Sequence, residues 1–238
     1  MKKTSFPRMI KEAIILAGGT GTRLRSVITE IPKPMAPIGN KPFLAIILDK
    51  LNNHGVEHVI LAVGYKHEVI QSYFGKQYKN ITLDYGIEEE PLGTGGAVGL
   101  ALNQLYRDAF LMMNGDTLFD VNFDKLCQFH FARKADLSMS LKPIRNQDRY
   151  GLVKVNESAQ VTEFTEKKYI DQGLINGGVY ATSKSFINSL NLPQKYSWEK
   201  DILEKQSKNS KFFGYLSDSY FIDIGIPADY TRAQLELT

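Results

Sequence analysis

A short apolar run, EAIILA (Glu12 to Ala17), breaks off into Gly18, Gly19, Thr20, Gly21, Thr22 and Arg23, and few folds have a use for such a junction. A continuous apolar run without polar alternation is the pattern of a strand buried on both faces of a parallel sheet. Glycines directly after it allow positive φ and close backbone approach, so the N–H groups of Gly18 to Thr22 can converge on an anion. Arg23 and Lys33 then offer the positive charge that phosphate groups demand. On composition alone, a tight strand-to-helix turn with solvated basic side chains explains the stretch as well.

The pattern repeats downstream. PFLAIILDKLNNHG (Pro42 to Gly55) has apolar residues at helical spacing behind a first-turn proline and stops at glycine, which predicts a helix. HVILAVGY (His58 to Tyr65) predicts a second buried strand. A helix at His67 to Phe74, a strand at Ile81 to Ile87, a helix at Gly95 to Leu105, a strand at Ala109 to Met113 and a helix at Phe123 to Lys134 follow. Four βα units of this kind imply a three-layer α/β fold with a mainly parallel sheet and right-handed crossovers. After Ala135 the segments LSMSLKP, YGLVKVN, VTEFTEK, INGGVYATS and FFGYLSDSYFIDI alternate like strands. Helices are expected at Lys184 to Leu190, after a Ser197 cap in SWEKD, and at Ala228 to Leu237. No Pro/Ser-rich linker divides the 238 residues, so one continuous sheet with two functional lobes, at about 12–134 and about 135–227, is expected.

Composition narrows the chemistry. Lys and Arg number 29 against 26 Asp and Glu, and a net charge of +3 is too small to argue for a nucleic-acid partner. The single cysteine, Cys127, excludes an intrachain disulfide and a CxxC metal site. His54 and His58 are four apart without an HEXXH pattern, which disfavours zinc. MKKTSFPRMI leads into no signal-length apolar stretch, and no run approaches the length of a membrane span, so a cytoplasmic protein without a membrane partner is expected.

Two phosphate motifs fail. The dinucleotide fingerprint GxGxxG matches at Gly19 and Gly21, but Leu24 stands at the third glycine, and no Gly-Lys-Ser/Thr phosphate loop occurs. LAGGTGTRL and IPKPM instead resemble the first motif of the sugar-phosphate nucleotidyltransferases, departing from it where RSVIT replaces the usual Pro-x-Thr. The resemblance implies a Rossmann-like nucleotide-diphospho-sugar transferase fold with a mixed, mainly parallel central sheet. It also implies that the backbone of Leu16, Ala17, Gly18, Gly19, Thr20, Gly21 and Thr22 holds a nucleotide, with Arg23 and Lys33 as catalytic cations.

MMNGD (Met112 to Asp116) ends a buried strand with a carboxylate, and FIDIGIP places Asp223 at the end of another. Ligands of open α/β sheets gather at such strand ends. Each aspartate alone reads more simply as a turn or cap residue. The resemblance makes them a Mg2+ pair and adds Asn114 to the sugar-phosphate contacts. By the same resemblance, EEEPLGTGGA puts Gly93 and Thr94 near the base and ribose, although a helix start with a solvated acidic approach also explains that segment. YG, FTEK and NGG match the three sugar-side motifs in order, implying sugar-phosphate contacts from Gly151, Glu166, Lys167 and Asn176. SWEKD is explained by helix capping and receives no catalytic role.

Among family members, LRSV with KPMAPI, VILAVGYK, YFG and EPLGTGGA are most similar to those that guanylylate a heptose 1-phosphate. The resemblance therefore implies GTP and a sugar 1-phosphate as substrates, in bacterial surface-glycan synthesis. Mannose 1-phosphate guanylylation, N-acetylmuramate 1-phosphate uridylylation and a non-catalytic nucleotide-binding regulator stay open as alternatives, as does a homo-oligomer.

Overall fold

A computed structural model describes residues 9–19, 24, 31–147, 149–165 and 169–238. In chain order the first half runs β1 (Glu12–Leu16), a 3-10 turn (Lys33–Met35), β2 (Pro37–Ile38), β3 (Lys41–Pro42), α1 (Phe43–Asn53), β4 (His58–Val63), α2 (His67–Phe74), β5 (Gln77–Tyr78), β6 (Ile81–Ile87), α3 (Gly93–Leu102), β7 (Ala109–Asn114), β8 (Thr117–Phe119) and α4 (Phe123–Arg133). The second half runs β9 (Leu137–Gln147), β10 (Leu152–Val155), β11 (Val161–Thr165), β12 (Ile170–Ser183), α5 (Lys184–Ser189), a π-helical stretch (Trp198–Glu204), β13 (Phe212–Leu216), β14 (Phe221–Asp223) and α6 (Pro227–Glu236).

The apolar runs become the parallel centre of a ten-stranded mixed sheet, in the order β7-β1-β4-β6. Alternate residues of one strand serve different cores. Ala13, Ile15, Val59, Leu61, Leu111 and Met113 face the core that contains α1. Ile14, Ile60, Ala62, Phe110 and Met112 face the one that contains α3. Burial on both faces therefore explains why these strands show no polar alternation, each fully buried aliphatic contributing about 1.5–3 kcal/mol. From β7 the sheet continues without a break into the second half: β12 pairs antiparallel with β7 and with β9, and β13 adds parallel to β9.

Two expected elements differ. Helix α3 ends at Leu102, three residues short of the expected Leu105, and starts at Gly93, two residues early, because the carbonyl of Tyr196 accepts the N–H groups of Gly95 and Gly96 (3.1 and 3.2 Å) and completes the first turn. FFGYLSDSYFIDI is not one strand. It breaks at a serine turn, where Ser219 N–H donates to Ser217 Oγ (3.3 Å), so β13 joins the main sheet while β14 pairs with β8 in a small separate ladder. The β2–β3 hairpin after Lys33 had no local signal; α6 holds it through Tyr230 Oη donating to the Pro37 carbonyl (2.7 Å).

Candidate active site

The parallel strands β1 and β7 end together. Gly115 N–H donates to the Leu16 carbonyl (2.8 Å), and Asp116 follows at the carboxyl end of the sheet. The β8–β14 ladder then brings in Asp223: Thr117 lies opposite Asp223, and Ile224 N–H donates to the Asp116 carbonyl (3.0 Å). Lys33, from the 3-10 turn, places its ammonium between them. It is ion-paired with Asp116 and lies 4.0 Å from Asp223 Oδ1. The Lys33 side chain is only 14% exposed, so this cluster sits where charges interact with little screening.

Asp223 is held from several directions. Its Oδ1 accepts Gly225 N–H (2.7 Å), while Arg149 Nη2 approaches Oδ2 at 3.4 Å. Burial pushes its carboxyl above the usual range and the charge of Asp116 adds to this, whereas Lys33, Arg149 and the Gly225 N–H pull the other way. Two crowded carboxylates present the hard oxygen donors that divalent cations such as Mg2+ take, with phosphate oxygens and water completing the shell. The donor chemistry of Asp116 and Asp223 thus fits a divalent cation.

Above this floor opens a cleft of about 830 Å3. One wall is Leu16, Ala17, Gly18 and Gly19, the described part of the glycine loop; the other includes Gly93 and Thr94. Gly93 adopts φ +78°, and a β-carbon there would come 2.6 Å from the Tyr196 carbonyl oxygen. The π-helical stretch backs this wall: Thr94 Oγ1 donates to Glu199 Oε2 (2.7 Å) and accepts Trp198 N–H (3.0 Å). Ser197 caps as expected, accepting Lys200 N–H (3.2 Å), but Glu199 of the same SWEKD segment also lines the cleft. Sequence reasoning missed it because acids in a first helical turn already have a sufficient explanation. Glu88 lines the cleft too. Its Oε1 accepts Leu92 N–H (3.0 Å), and burial pushes its pKa above the usual carboxylate range although that hydrogen bond opposes the rise.

Asn114 lies in the cleft beside Asp116, crossed closely by β12. Gly178 has φ +72° at that crossing, and a β-carbon would come 2.7 Å from Asn114 Nδ2. Gly151 and Asn176 do not line the main cleft but meet each other, Asn176 N–H donating to the Gly151 carbonyl (3.0 Å). The Asn176 side chain donates to Tyr180 Oη (2.5 Å) and accepts Gly178 N–H (3.1 Å). Thr20, Gly21, Thr22, Arg23, Glu166 and Lys167 lie outside the described residues.

Residues 12–238 match the family model described as "Nucleotidyl transferase". D-glycero-alpha-D-manno-heptose 1-phosphate guanylyltransferase of Aneurinibacillus thermoaerophilus is 51% identical, the alignment covering 95% of this chain and 98% of the relative. The protein of the same name from Campylobacter jejuni is 46% identical over 92% and 96% of the two chains. A crystal structure of HddC from Yersinia pseudotuberculosis complexed with GMP-PN superposes with a TM-score of 0.85 at 37% identity, covering 96% of this chain and all of that one.

Proposed function

The chain belongs to the nucleotidyl transferase family, and from that membership we propose that it transfers GMP from GTP to D-glycero-α-D-manno-heptose 1-phosphate, forming GDP-heptose and pyrophosphate. The observation that carries the chemistry is the convergence of Lys33, Asp116 and Asp223 below a glycine-lined wall. A sugar phosphate is already an anionic nucleophile at neutral pH, so the reaction needs alignment and charge neutralisation more than proton transfer. One of its oxygens forms a bond to the α-phosphorus of GTP while the bond from that phosphorus to the bridging oxygen of the leaving pyrophosphate breaks. No covalent enzyme intermediate enters.

In this reading the backbone from Leu16 to Thr22 cradles the nucleotide phosphates, and Lys33 with Arg23 neutralises charge building on them. Gly93 and Thr94 face the base and ribose. A partly buried Glu88 carboxylate in that wall suits guanine, whose N1–H and N2–H2 edge donates hydrogen bonds. Asn114, Gly151, Glu166, Lys167 and Asn176 hold the sugar phosphate. Asp116 and Asp223 would hold Mg2+, which when bound polarises phosphoryl oxygens. Among the described residues no helix is long and apolar enough to cross a membrane.

The test is an assay of purified protein with Mg2+ against a matrix of nucleoside triphosphates and sugar 1-phosphates, following pyrophosphate and nucleotide-sugar. GTP consumption dependent on the heptose 1-phosphate is expected. Dominant UTP turnover, or preference for mannose 1-phosphate, would overturn the substrate assignment, and no turnover with any pair would favour a binding regulator.

A further inference from the structure

Arg149 stands directly before Tyr150 and Gly151 and belongs to none of the motifs read above. Its guanidinium is a planar fork that joins two carboxylates: Nη1 pairs with Asp229 in the first turn of α6, and Nη2 lies 3.4 Å from Asp223 Oδ2. The two oxygens of Asp223 are therefore divided, Oδ1 toward Gly225 N–H and Lys33, Oδ2 toward Arg149. The Tyr150 ring flanks the guanidinium at 5.3 Å and packs edge-on against Phe221 of β14 at 5.4 Å, so residues 149 and 150 grip the strand that carries Asp223. The same segment is tied to β12 by the hydrogen bond from Asn176 N–H to the Gly151 carbonyl.

This arrangement is a poor investment in stability alone. Arg149 Nε is buried without a hydrogen-bond partner among the described residues, and a partly buried ion pair returns little net stability once desolvation is counted. A planar fork does supply orientation, which a lysine ammonium at the same place would not.

We propose that Arg149 is a positioning residue for the transfer: from the sugar-side segment it sets the Asp223 carboxylate so that Oδ1 faces Lys33 and Asp116. The proposal rests on the reading of Asp116 and Asp223 as the cation-binding pair. It links the segment expected to contact the sugar to the reacting centre through one side chain.

Arg149→Met, Arg149→Lys and Asp229→Asn test it, each first checked for a native circular-dichroism spectrum. Affinity for Mn2+ is read by water-proton relaxation with GTP present and no sugar phosphate, so that no turnover occurs; kcat and KM are measured separately. Arg149→Met should weaken Mn2+ binding and lower kcat by about tenfold or more, the usual cost of removing a group that orients a metal ligand. Arg149→Lys should show most of the same loss, since it keeps the charge but not the fork. Asp229→Asn, which removes the anchor of Arg149 together with the helix-surface pair from Asp229 to Arg232 (3.4 Å), should move Mn2+ affinity in the same direction with the KM for GTP unchanged. Unaltered Mn2+ affinity and kcat, with only the melting temperature lowered, would overturn the proposal and leave an ordinary ion pair. A wild-type protein that neither binds Mn2+ nor turns over GTP would overturn the parent reading as well, which separates the two failures.

Discussion

Asp116 shows how much one residue owes to its surroundings. Its carboxylate pairs with Lys33 and also accepts the Thr117 hydroxyl at 3.3 Å, while its backbone carbonyl holds the N–H of Ile224. Asp116→Asn keeps the backbone bond and the side-chain shape but removes a charge. Turnover should fall by about 100-fold or more with the melting temperature little changed. Near-normal kcat in folded protein would contradict the metal role. A second residue-scale prediction concerns His130, buried on α4 with its Nδ1 3.1 Å from Ser138 Oγ. Desolvation lowers its pKa from 6.5 to about 4, with the charge of Asp136 opposing. The unfolded chain binds this proton first as pH falls, so stability present above about pH 6.5 is lost on the way toward 4, by about 2 kcal/mol between pH 7 and 5. His130→Gln should flatten that part of the melting-temperature profile; a profile of unchanged slope would show that His130 does not carry it.

Among the elements, α3 carries the sharpest packing constraint. A β-carbon at Gly95 would lie 2.2 Å from the Tyr196 ring, so the PLGTGGA glycines serve close docking of the segment before Trp198 as well as the cleft wall. Gly95→Ala should cost about 1–3 kcal/mol through overpacking and raise the KM for GTP, because α3 must move off Tyr196 and carry Gly93 and Thr94 with it. Thermal melts and steady-state kinetics read both effects; an unchanged KM would separate the packing from nucleotide binding. The helix His67–Phe74 has the boundaries its periodicity predicts, since the residues it buries, Ile70 and Phe74, stand at helical spacing along it. The run from Phe212 to Ile224 does not, because whether it pairs with β9 or with β8 depends on strands distant in sequence.

At the scale of the whole molecule, the sheet crosses from the first half of the chain to the second through β7 and β12. A shared sheet has no seam at which one half can melt alone, so we expect a single cooperative unfolding transition, coincident by far-ultraviolet and aromatic circular dichroism. Two separated transitions would contradict a single domain. Apolar runs, helical periodicity and punctuating glycines determined the α/β class, the parallel centre and the strand ends at which Asp116 and Asp223 stand, because burial on one or two faces leaves its mark on neighbouring residues. Only the tertiary structure decided that Lys33 lies between those two carboxylates, that Glu199 joins the cleft and that Arg149 reaches Asp223 and Asp229 together. Those contacts join residues with no periodic relation along the chain, and Coulomb attraction depends on distances that exist only once the sheet has closed around them.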